Sequence, residues 1–185
     1  MRPTRDIDLF LEIISYGQLG KLQEKLVEKG FFPAKGEEVM CRFDYKGILV
    51  DIMSTDEVGW APADKWFKPG MANLVTFKTE EVEFKILNLA YFLAAKFNAF
   101  NDRKTDPRLS KHFEDIIYLL DNCTDLNKQL NECSGEVRDY LVLQFGKLLK
   151  PDFEEAILAH LGYHYQAERM TIIKERIETF INRDQ

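Results

Sequence analysis

Thr4-Arg5-Asp6-Ile7-Asp8-Leu9-Phe10, continued by Leu11, Ile13 and Ile14, sets two carboxylates at alternate positions of an otherwise apolar run. Read as a strand over residues 5–14, the run sends Asp6 and Asp8 to the same face, about 7 Å apart along the chain. Carboxylates at the start of a buried strand are costly unless a positive group neutralises them. The usual answer is a divalent cation, most often magnesium, held by oxygen ligands.

Outward from this stretch, the next strand-forming region carries a third acid. Val39, Cys41 and Phe43 alternate with polar residues, Tyr45-Lys46-Gly47 turns the chain, and Ile48-Leu49-Val50-Asp51-Ile52-Met53 continues it, a hairpin pattern. Asp51 sits between Val50 and Ile52 and needs the same explanation as the first pair. On neighbouring strands in register, Asp6, Asp8 and Asp51 would converge. Such a triad suits two-metal phosphoryl or nucleotidyl transfer, with ions roughly 3.5–4 Å apart that activate the attacking oxygen and neutralise the departing pyrophosphate. Asp51 would bind the metal on the acceptor side and help to deprotonate the acceptor hydroxyl. Spacing alone leaves a plainer alternative open: two strand-end aspartates capping turns, and one salt-bridged core aspartate.

Between these strands, Gly20–Lys29 has Leu22, Leu26 and Val27 at helical spacing, and Gly30 ends it as a C-cap residue would. Residues 54–77 are irregular and lead into short strands near Leu74–Phe77 and Val82–Leu87. From Leu89 the chain turns helical: Leu89–Asn101, Pro107–Leu120, Glu136–Leu149, Asp152–His160 and Tyr165–Asn182. A sheet region over residues 1–88 followed by a helical region over residues 89–185 predicts an α+β fold.

Composition bounds the rest. The 185 residues are 45% hydrophobic and 30% charged, a globular balance. The net charge of −6 argues against broad coating of nucleic acid, though a local basic patch remains compatible with nucleotide or RNA. No apolar run approaches the roughly 20 residues of a membrane helix, and with Met1-Arg2-Pro3 leading straight into Asp6 no signal peptide is expected. Cys41, Cys123 and Cys133 are odd in number and lack metal-ligand spacing, so free thiols in a reducing cytoplasm are expected. There is no phosphate-binding Gly-x-x-x-x-Gly-Lys-Ser/Thr loop and no Ser-His-Asp arrangement. His160 and His164 lack a third ligand nearby. Trp60, Trp66 and Phe67 read as a core or lid cluster.

Taken together, Thr4–Phe10, Leu49–Met53, Tyr91–Phe100, Asp102-Arg103 and Phe113–Ile117 resemble, in order and approximate spacing, the nucleotidyltransferase-fold proteins of the abortive-infection AbiEii/AbiGii toxin type. The resemblance implies a sheet bearing metal-binding aspartates and a helical half that closes over an NTP, with Mg2+ or Mn2+ as cofactor. It implies that Lys96 and Arg103 meet nucleotide phosphates and that Asp115 orients one of them. It also implies a tRNA or protein acceptor and an antitoxin partner in a toxin–antitoxin or phage-defence setting. In this fold a Gly-Gly or Gly-Ser turn normally precedes the paired aspartates. Only Met1 to Arg5 precede Asp6 here, so the expectation is an N-terminally shortened version of the fold. The alternative to an active enzyme is then a relative that keeps the fold and binds a protein partner.

Overall fold

Asp6–Leu11 form strand β1 of the computed structural model, which describes residues 6–13, 15–35 and 41–183. Arg5, Ile14 and Val39, read above as strand residues, lie outside the described residues. The chain divides into two units, residues 1–72 and residues 73–185.

In the first unit, β3 (Arg42–Tyr45) and β4 (Ile48–Ser54) form the expected hairpin. Its two-residue turn holds Lys46 at φ 53° and Gly47 at φ 86°, the left-handed pair that matches the twist of antiparallel strands. The Asp44 carboxylate accepts from the Gly47 N–H at 3.0 Å and fixes the turn. The two-residue β2 (Phe32–Pro33) pairs with β3, and β1 lies parallel to β4, giving the order β1-β4-β3-β2. Strand alternation then sorts β4: Val50 and Ile52 are buried, whereas Leu49, Asp51 and Met53 take the opposite face.

The buried face is covered by α1 (Tyr16–Glu28), which begins where the Ser15 hydroxyl caps the Gln18 N–H. Leu22 and Leu26 pack with Phe43, Val50 and Ile52. Val27, at the same spacing by sequence, faces outward. The helix ends at Gly30, whose φ of 88° suits glycine. Trp60 tilts against Phe43, Trp66 and Phe67 are buried, and Phe10 stacks on Phe67 at 5.1 Å. The aromatic cluster is therefore core. A short helix, α2 (Phe67–Met71), closes the unit.

The second unit opens with the hairpin of β5 (Leu74–Lys78) and β6 (Glu83–Leu87) and continues as α3 (Leu89–Arg103), α4 (Lys111–Asn122), α5 (Leu126–Leu130), α6 (Gly135–Leu148), α7 (Glu154–His160) and α8 (Gln166–Ile181). Each long helix buries one stripe: Ala90, Leu93, Ala94 and Phe97 on α3; Phe113, Ile116, Ile117 and Leu120 on α4; Met170, Ile173, Ile177 and Phe180 on α8. On α6, Leu141, Phe145 and Leu148 are buried within the unit itself. Phe145 meets Phe97 and Phe180 edge-on.

Arg176 of the last helix and Arg183 just beyond it finish the ends of earlier ones. Arg176 donates to the Leu120 and Asp121 carbonyls, and Arg183 to those of Leu130, Asn131 and Cys133. A cation there satisfies carbonyls that have no partner within their own helix and complements the helix dipole. Asp121 also pairs with Arg169. The α+β class with a helical C-terminal half is what the sequence pattern predicts. Among the described residues no helix is long and apolar enough to cross a membrane.

Leu93 is fully buried on α3 and Leu143 is 60% exposed on α6. Leu93→Ala is expected to cost about 3 kcal/mol and Leu143→Ala less than about 0.5, read from chemical denaturation followed by helical ellipticity. Equal losses would contradict this packing.

Candidate active site

The sheet face opposite α1 carries the acids. Parallel register sets Asp8 directly beside Asp51 and Asp6 beside Leu49, so all three aspartates share that face. Strand spacing brings the Asp8 and Asp51 backbones about 4.8 Å apart. One pairing of strands thus brings aspartates from two separate stretches of sequence onto a shared face.

A fourth residue completes the face. Arg42 on β3 is the register partner of Asp51. Its guanidinium grips that carboxylate in a fork, Nε to Oδ1 at 2.7 Å and Nη2 to Oδ2 at 2.7 Å. The same Nη2 reaches Oδ2 of Asp6 at 3.3 Å, so one side chain ties together three strands. Arg42 and Asp51 are only 18% and 15% exposed, against 41% for Asp6. A bidentate pair with this little solvent is worth more than a typical surface ion pair. The salt-bridged aspartate left open by the sequence is therefore realised at Asp51, within the same set of acids. Beneath it, burial and the nearby Asp51 carboxylate push the Cys41 thiol up, which keeps that sulfur protonated and inert.

The donor set suits a divalent cation, since three carboxylates on one face offer hard oxygens. Its present arrangement is a different one. Both oxygens of Asp51 accept from Arg42, and among the described residues no group of three or more His, Cys, Asp or Glu side chains is gathered to hold an ion. The residue types fit magnesium, and the side-chain geometry on this face is that of an ion pair.

The second unit holds the remaining candidates. Lys96 on α3 donates to Asp115 Oδ2 on α4 at 2.9 Å, and its ammonium lies 5.1 Å from the centre of the Phe92 ring. Lys96, one of the two bases considered for Asp115, is thus hydrogen-bonded to it. Both are partly accessible, at 20% and 30% exposure. Arg103 lies exposed in the last turn of the same helix. His160 is spent structurally, its Nε2 2.8 Å from the Pro107 carbonyl and its ring against Phe113. The cysteines are free, with Cys133 pushed up to about 11 by burial.

Arg42 is the residue that a search for carboxylates overlooks. The signal for it was present: counting outward from the Lys46-Gly47 turn puts Arg42 opposite Asp51, between the inward-facing Cys41 and Phe43.

A family model described as nucleotidyl transferase AbiEii toxin, type IV TA system, matches residues 1–183. The chain belongs to that family. No curated protein and no solved structure matches it significantly.

Removing one partner of the Arg42–Asp51 pair strands the other in a half-buried site. Asp51→Ala is expected to lower stability by about 2 kcal/mol, less than a fully buried pair because water reaches both groups. The double variant with Arg42→Ala should lose no more than either single one by about 1 kcal/mol. Simple additivity in this cycle, measured by denaturant unfolding, would contradict the pairing.

Proposed function

We propose, proceeding from that membership, that the chain transfers a nucleoside monophosphate from an NTP to an acceptor hydroxyl on RNA, protein or a small molecule, as the toxin of a toxin–antitoxin pair. The observation that carries this reading is the parallel register that sets Asp8 beside Asp51, with Asp6 on the same face. Three carboxylates on one face exceed what a single structural ion pair requires, and this surplus supports a chemical role for them.

In this reading Asp6, Asp8 and Asp51 would hold Mg2+ or Mn2+, which when bound supplies neutralisation of the nucleotide's phosphates. Asp51 accepts the proton of the acceptor hydroxyl. The freed oxygen forms a bond to the α-phosphorus, the α–β bridge breaks, and pyrophosphate leaves. Within the helical unit, Lys96 presents a compact positive charge suited to a phosphate, and Asp115 fixes its ammonium in one direction. Arg103, exposed two turns further along α3, adds a second cation on that helix. The partners are a nucleotide, an acceptor such as tRNA or a protein, and a cognate antitoxin. The setting is the cytoplasm, where NTPs and RNA are available.

One observation favours a second reading. Arg42 already neutralises Asp51 and part of Asp6 without a metal. A catalytically silent relative that binds a protein partner would retain such a pair for stability.

Labelled NTPs with magnesium separate the two. The protein is expected to transfer label to RNA or to protein, and Asp8→Ala to lose about three orders of magnitude of that rate. Label transfer undiminished in Asp8→Ala would refute this assignment, and none by the unaltered chain would favour the silent relative.

A further inference from the structure

Arg42 makes three hydrogen bonds from one guanidinium to two of the acids proposed to bind the cation. Its fork covers both oxygens of Asp51, the acid that stands in register with Asp8. A divalent ion coordinated by Asp51 and the guanidinium clamped on it would be like charges a few ångströms apart, at a pair that is itself largely shielded from solvent. The two cations therefore compete for one carboxylate. Arg42 sits on β3 with a long side chain whose outer atoms already reach the accessible Asp6, so the guanidinium is not confined to Asp51.

We propose that Arg42 is the exchangeable counter-cation of this face: it holds Asp51 and Asp6 when no metal is bound and releases Asp51 when the divalent ion arrives. This rests on the metal-binding reading given above and adds to it a residue that sets the affinity and timing of metal entry. The exchange leaves a cation on Asp51 in both states, the guanidinium without metal and the divalent ion with it. It also spares the metal-free protein the repulsion of adjacent, unpaired carboxylates on neighbouring strands.

Charge and geometry are separable in the test. Lysine keeps the positive charge and loses the fork, since an ammonium is a point charge that cannot engage both carboxylate oxygens in parallel. Calorimetric titration with Mn2+ is expected to show Arg42→Lys and Arg42→Gln binding the ion about tenfold more tightly than the unaltered protein. A merely electrostatic neighbour would leave Arg42→Lys at the original affinity, and that result would overturn the exchange. In the unaltered protein, the Arg42 Nε–H resonance, assigned by its loss in Arg42→Lys, is expected to shift and to lose protection from solvent exchange as Mg2+ saturates the site. Mg2+ binding with that resonance unmoved overturns the exchange and leaves the metal site standing. No binding of either ion at millimolar concentration by any of the three proteins overturns the metal reading, and this inference falls with it.

Discussion

Three carboxylates on one face of a small sheet are the constraint from which the first unit is built. Asp6, Asp8 and Asp51 share that face because β1 runs parallel to β4 in one particular register. A slip of one residue would turn Asp51 towards α1 and break the apolar set of Phe43, Val50 and Ile52. The same alternation that buries those side chains therefore presents the acids. Arg42 is where the two demands meet, because its own register opposite Asp51 is fixed by the tight Lys46-Gly47 turn. Core packing, turn geometry and charge balance agree on a single pairing of strands.

The helical unit solves a related problem by different means. Its stripes of Leu, Ile and Phe supply the core, and several of its arginine contacts sit at helix ends. Arg176 and Arg183 satisfy carbonyls at the ends of α4 and α5, and Asn101 on α3 donates to Tyr140 and Gln144 on α6. Lys96 donates to Asp115, with Phe92 beneath its ammonium. A lysine fixed in direction but still reached by solvent is suited to meeting an anion. In a chain of the AbiEii nucleotidyl transferase toxin family, a triphosphate is the anion that such a lysine is proposed to serve.

Much of this was legible in the sequence because it rests on local periodicity. Alternation announced β1, β3 and β4, and spacings of three and four residues announced α3, α4, α6 and α8. The acids stood out because a carboxylate between Val50 and Ile52 contradicts its surroundings. Shorter elements gave no such signal. Five-residue α5 has only Leu126 and Leu130, one turn apart, too few for a period to show. In α2 the Pro69-Gly70 pair reads as a breaker, yet proline is tolerated in a first turn, where its missing N–H would have had no helical partner. Arg42 escaped for another reason. An arginine on a polar strand face is unremarkable by itself, and its importance lies in a partner nine residues away across a turn.

The central claim is that the acid-bearing face of β1 and β4 is where a nucleotide's phosphates are processed. Crystals of the chain soaked with Mn2+ and a non-hydrolysable NTP analogue address it directly through the anomalous signal of the metal. The account predicts a manganese peak on the Asp8 and Asp51 carboxylates, with the triphosphate beside it and the Arg42 fork withdrawn from Asp51. An analogue bound elsewhere, with no metal at Asp8 and Asp51 and the arginine still in place, would contradict it.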